Sequence, residues 1–205
     1  MNTNQIEAVI LDLGGVLIQL NYQLTIDAFL ELGLSDPQLF YSQSEQSSLF
    51  DQYETGVIST QRFINEILPF LKPGTTPNQV VRAWNAMILD FPIEIVSFLK
   101  ELGSKYPLYL LSNTNEIHYQ KVIAAWKKVS EEDFHSLFHH VYLSHEIQLR
   151  KPNLEIFDYV CRTAKLNRNH TLFIDDSIQH IEGALSYGLQ AVHLPKELNL
   201  QSIFS

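Results

Sequence analysis

Four or five short runs rich in Val, Ile, Leu, Tyr and Phe, at 8–11, 108–111, 141–143, 172–174 and 191–194, lack the polar alternation of a half-exposed strand. Strands buried on both faces of a parallel sheet read this way. Between them lie helix-period segments at 93–105, 116–128, 154–166 and 178–187, the last stopped by Gly188. Strand and helix in alternation predict a doubly wound, Rossmann-like α/β core with a parallel sheet. The interval between the first two runs differs, because it holds helical periods at 22–32, 37–53, 60–71 and 77–89 and no strand pattern. Turn signals at Gly33, Gly56 and Pro73-Gly74 separate these segments. The pattern predicts an inserted all-helical cap at 19–89 on a core built from 1–18 and 90–205. The polar stretch Ser42 to Ser48 reads as a loop or an exposed helix turn.

The length, 205 residues, suits one core with a smaller insertion, and 45% apolar with 18% charged residues is ordinary globular composition. A formal net charge of -9 with no Lys/Arg cluster argues against nucleic acid as a partner. The single cysteine, Cys161, reads as a buried helix position, and a cytoplasmic location is expected. The polar segment Met1 to Glu7 leads straight into the first run, so neither a signal peptide nor a membrane anchor is expected. Oligomeric state is left open by the sequence.

In open α/β sheets ligands bind beyond the carboxyl ends of the strands, so the residues just after each run carry the most information. Asp12-Leu13-Gly14-Gly15 comes after the first, Ser112-Asn113-Thr114-Asn115 after the second, a loop reaching Arg150-Lys151-Pro152 after the third and Asp175-Asp176-Ser177 after the fourth. Three carboxylates, a hydroxyl and a cation would converge on one rim. Crowded carboxylates need a cation, and oxygen ligands with room for water and phosphate are typical of magnesium. Lys151 would offset charge on a transferring phosphoryl group, while Ser112, Asn113 and backbone N–H groups hold its oxygens. Asp12 would then attack phosphorus and form an aspartyl phosphate.

The segment Ile10-Leu11-Asp12-Leu13-Gly14-Gly15-Val16-Leu17 resembles the first motif of the haloacid dehalogenase-like superfamily, in which a strand ends at a nucleophilic aspartate. Ser112, Lys151 and the pair Asp175-Asp176 match its second, third and fourth motifs in order and spacing. The wider wording around them is most similar to the branch containing alpha-glucose-1-phosphate phosphatases. The resemblance implies Mg2+ held by the side chains of Asp12 and Asp176 and the backbone carbonyl of Gly14, with Asp175 acting through water. It implies phosphomonoester hydrolysis on a small phosphorylated metabolite such as a sugar 1-phosphate. Most phosphatases of the superfamily carry a second aspartate two residues after the nucleophile as acid and base. This sequence has Gly14 there, which keeps a carbonyl but loses the proton donor.

Taken singly, Asp12 is turn chemistry, Asp176 or Ser177 a helix cap, and Lys151 a loop lysine; the ordered set outweighs those readings. His139-His140 and the other histidines show no zinc spacing, and Gly14-Gly15 lacks the third glycine of a dinucleotide fingerprint. Trp84 and Trp126 sit among apolar residues and favour packing. Two other functions share these residues. A 2-haloacid dehalogenase would use the same nucleophile without magnesium, but Asp175-Asp176 would face its anionic substrate. A catalytically weak binding protein of the same fold would explain Gly14 and leave the other motif residues unexplained. Specificity is expected in the cap, around Tyr53-Glu54-Thr55-Gly56.

Overall fold

The computed structural model describes residues 5–35 and 48–204 of the chain. At its centre five parallel strands lie in the order β3-β2-β1-β4-β5. They are β1 Ala8–Leu11, β2 Leu108–Ser112, β3 His140–Leu143, β4 Thr171–Asp175 and β5 Gln190–His193. Successive residues of the central strands feed two different cores. Val9, Leu11, Leu110 and Ile174 belong to one, while Ala8, Ile10, Leu111 and Phe173 belong to the other. A strand buried on both faces has no place for a polar residue, which is why these runs do not alternate.

Between β1 and residue 90 the described residues form α1 Tyr22–Glu31, α2 Ser48–Glu54, α3 Thr60–Ile67 and α4 Pro77–Trp84. Local chemistry starts each of three of these helices. Asn21 caps α1, Ser59 caps α3, and Thr76 with Gln79 forms a capping box on α4, whose first residue is Pro77. These helices close over an apolar cluster of their own, in which Phe63 stacks on Tyr53 at 4.2 Å and Trp84 stacks on Phe50 at 5.2 Å. Ile117, from outside the segment, completes the cluster. The sheet is covered on one face by α5 Ile95–Lys105 and α6 Glu116–Trp126, and on the other by α8 Leu154–Thr163 and α9 Ile178–Tyr187; the short α7 is Ser144–Ile147. Cys161 and Trp126 are buried in these two cores, as the apolar pattern implies. None of the described helices is long and apolar enough to cross a membrane.

Several helices stop earlier than their apolar period. Pro69 has no N–H to continue α3, so Leu68–Phe70 tightens into a 3-10 turn. The period predicted to run to Leu89 stops at Trp84, because the backbone beyond it is needed elsewhere. Ile88 bridges Leu20 antiparallel, Asn21 N–H bonds Met87 O at 2.9 Å and Leu89 N–H bonds Gln19 O at 3.1 Å. The two crossings between the helical segment and the sheet are thus laced together. Of the helix predicted at 37–53, only the part from Ser48 lies within the described residues, and the Ser42 to Ser47 stretch lies outside them.

His118 in α6 joins the cluster of the helical segment to the sheet's covering helix. Its ring stacks on Trp84 at 4.8 Å, Nε2–H donates to Trp84 O at 2.9 Å and Nδ1 accepts from Asn115 Nδ2 at 3.1 Å, so the neutral ring is fully bonded. Burial pushes its pKa from 6.5 down to about 4, against the bond to Trp84 O. The unfolded chain binds this proton first, so stability present above pH 6.5 drains away as pH falls toward 4, by roughly 3 kcal/mol. Urea unfolding at pH 7 and pH 4 checks this: in His118→Gln the loss between the two should shrink by about that amount.

Candidate active site

The strand order reverses beside β1, and the ends of β1, β2 and β4 open there into a cleft of about 930 Å³. Leu11 pairs with Ile174, so the next residues along, Asp12 and Asp175, stand side by side. Asp12 N–H still bonds Ile174 O at 2.9 Å, which holds the first carboxylate in strand register. Lys151 enters from the loop before α8 and is fully buried. Its ammonium donates to Asp12 Oδ1 at 2.6 Å, to Asp175 Oδ2 at 2.6 Å and to Leu111 O at 3.0 Å, and it lies 5.4 Å above the Phe173 ring. All three N–H donors of the ammonium are therefore used.

Asn113 holds Lys151 in place. Its amide donates to Lys151 O at 2.9 Å and accepts from Lys151 N–H at 2.9 Å, so its side chain grips the neighbouring backbone. The peptide between Lys151 and Pro152 is cis. Ser112 lies at the end of β2, buried and on the wall of the cleft. The loop after it is anchored by Ser144 Oγ, which accepts from Thr114 N–H at 2.9 Å.

Asp175 accepts from Ser177 N–H at 2.8 Å and from His180 Nδ1–H at 2.9 Å as well as from Lys151. Burial alone would raise its pKa, but Lys151 and His180 overrule that and hold it below the ordinary range. Asp12 lacks such support. Burial first, then Asp175 and Asp176, push its carboxyl well above the ordinary range against the pull of Lys151. Asp176 faces the cleft, and His193 Nε2–H donates to its backbone O at 3.0 Å. Carboxylate oxygens of Asp12, Asp175 and Asp176 lie within 4.8 Å of one another. Fully ionised, three carboxylates against one ammonium would carry two negative charges in excess, and oxygen donors at this spacing fit a hard divalent cation.

Gly15 makes that spacing attainable. Its φ is +74°, and a Cβ there would fall 2.0 Å from Asp176 Oδ2. Gly14 is different, since its φ is ordinary and a Cβ would meet only the flexible end of Leu20 at 2.6 Å. The glycine required by geometry is thus Gly15, and the one that removes a carboxylate is Gly14.

Residues 6–188 match the family model described as haloacid dehalogenase-like hydrolase. The chain belongs to that family. A D-ribitol-5-phosphate phosphatase of Bacteroides thetaiotaomicron is 24% identical over 197 residues, covering 96% of this chain and 90% of that protein. A sesquiterpene phosphatase of Aspergillus oryzae is 24% identical over 202 residues, covering 94% of this chain and 91% of that one. A crystal structure of a HAD family enzyme from Bacteroides thetaiotaomicron, an aspartate-to-alanine variant in complex with magnesium and inorganic phosphate, superposes with a TM-score of 0.92 at 30% identity, covering 98% of this chain and 99% of that one.

The structure thus gathers Asp12, Ser112, Lys151, Asp175 and Asp176 of this hydrolase at one cleft. Sequence reasoning passed over Gly15, His180 and the clamp made by Asn113. His180 carried a signal: it sits in the first turn of α9, five residues after Asp175, where a side chain can reach back to the strand end. Gly15→Ala should weaken magnesium binding at least about tenfold while Gly14→Ala changes it little, because a displaced ligand costs far more than a shifted leucine. Titration calorimetry of the two variants decides it.

Proposed function

We propose that this hydrolase is a magnesium-dependent phosphomonoesterase acting on a small phosphorylated metabolite through an aspartyl phosphate on Asp12. The observation that carries the reading is the buried ammonium of Lys151, held 2.6 Å from both Asp12 and Asp175, with Asp176 beside them on the cleft. The two relatives described above are named phosphatases, and the structure compared above was crystallised with magnesium and inorganic phosphate, which supports the same reading.

In this reading the side chains of Asp12 and Asp176 and the carbonyl of Gly14 hold magnesium, with Asp175 acting through water. When bound there, the ion would supply positive charge to offset that on the phosphoryl oxygens. A carboxylate oxygen of Asp12 forms the bond to phosphorus as the bond to the leaving oxygen breaks. Lys151 keeps Asp12 oriented and offsets charge on the transferring group, and its own position is secured by Asn113, Leu111 O and Asp175. The Ser112 hydroxyl and the backbone N–H of Asn113 donate to phosphoryl oxygens. Water then attacks phosphorus, and Asp12 is released as a carboxylate.

Residues 19–89 serve as the cap over a core of 1–18 and 90–205, and the cleft walls from that segment, among them Tyr22 and Glu54, would read the organic part of the substrate. Gly14 by itself favours sugar 1-phosphates, whose anomeric oxygen departs as a comparatively stable anion. A haloacid dehalogenase needs no cation, and the two excess negative charges would repel its anionic substrate.

Asp12→Asn should fold and bind magnesium weakly, and its hydrolysis of p-nitrophenyl phosphate should drop at least about 10³-fold. The unaltered protein should lose activity in excess chelator and regain it on magnesium addition. Retention of activity in either case would refute the mechanism.

A further inference from the structure

The phosphatase reading leaves one role unfilled, and the assignment of a residue to it rests on that reading. The leaving oxygen of an alcohol phosphate needs a proton, and Gly14 has no side chain to supply it. Glu54, the last residue of α2, lies on the same cleft as Asp12, Ser112, Lys151 and Asp176. Its backbone is fixed against α7, the short helix after β3. Ser144 Oγ reaches Glu54 O at 2.6 Å, and Gly56 passes so near that a Cβ there would fall 2.0 Å from His145 O. Its side chain is half-buried, 23% exposed, with Oε2 itself shut off from solvent and accepting no hydrogen bond among the described residues. Arg150 Nη2 stands 3.3 Å away without the alignment of a hydrogen bond, and the same guanidinium is in contact with Asp51, whose charge offsets much of its field.

The geometry assigns Glu54 as the general acid and base of this site. Oε2–H gives its proton to the leaving oxygen as the P–O bond to that oxygen breaks and the bond from Asp12 to phosphorus forms. The Glu54 carboxylate then takes a proton from water as the water oxygen bonds to phosphorus and the bond to Asp12 breaks, which restores both carboxyl groups. The charged and titratable groups facing Glu54 are Lys151 and Arg150 from the loop before α8, Asp51 one turn back on α2 and Tyr22 at the start of α1. Burial raises its pKa to about 7 against the pull of Lys151, so both protonation states are populated near neutrality. The acid then comes from the helical segment instead of from the position two residues after the nucleophile. Esters of primary alcohols thereby join sugar 1-phosphates as substrates.

Benzyl phosphate and p-nitrophenyl phosphate test this, since they are similar in shape while one leaving group needs a proton and the other does not. Single-turnover release of each alcohol is measured with enzyme in excess and magnesium saturating. In Glu54→Gln, benzyl alcohol release should fall about 100-fold and p-nitrophenol release only a few-fold, with partial recovery in Glu54→Asp. For the unaltered enzyme, benzyl alcohol release should decline as pH rises through about 7 while p-nitrophenol release does not. Equal losses for the two substrates in Glu54→Gln, or no loss in either, would overturn the assignment. If that variant does not fold, parallel pH profiles in the unaltered enzyme would overturn it as well. No magnesium-dependent release of p-nitrophenol by the unaltered enzyme would instead remove the phosphatase reading, and this assignment with it.

Discussion

A lysine ammonium with no access to water is the constraint around which the rest of the structure is arranged. Lys151 has three donors, and each must find an acceptor because an unpaired buried charge is severely destabilising. Asp12, Asp175 and the carbonyl of Leu111 meet that demand, and they come from the ends of three adjacent parallel strands. The strand order itself is therefore part of the site. If β1 did not lie between β2 and β4, the acceptors could not surround one nitrogen.

That arrangement satisfies the cation and leaves the carboxylates in excess. Asp175 is quieted by Ser177 N–H and His180, whereas Asp12 is pushed toward its protonated form by burial and by its acidic neighbours. The imbalance is useful chemically, because Asp12, held by Lys151 alone against two acidic neighbours, would gain from a metal and from bonding to phosphorus. Gly15 contributes by being absent as a side chain, so that Asp176 can approach the backbone after β1.

Burial by the helical segment acts on both sides of the cleft. Trp84 and His118 weld its aromatic cluster to α6, and Ser144 ties α2 to the loops at the strand ends. Excluding water there strengthens the attraction between Lys151 and its carboxylates, and it also penalises the ionised form of Glu54. The Lys151–Asp175 pair stays ionised through its mutual attraction against the cost of burial, while Glu54 on the facing helix, with less attraction to offset that cost, is raised toward neutrality.

Much of this was legible in the sequence. The apolar runs without alternation, and the polar residues directly after them, are local signals, because a strand that ends at a sheet rim must turn there and expose its next residues. Asp12, Ser112, Lys151 and Asp175-Asp176 could all be found in this way, and so could the helical character of the segment after β1. Helix ends were less legible, since the period past Trp84 gave no hint that Ile88 pairs with Leu20. The tertiary structure alone decided that Asn113 grips the backbone of Lys151, that His180 reaches Asp175, that Gly15 rather than Gly14 is sterically required, and that Glu54 enters the cleft with an unbonded oxygen. The physical reason is distance along the chain. Residue type and periodicity record what a segment does to its own backbone, whereas these contacts arise only when segments remote in sequence pack together and exclude water from one another.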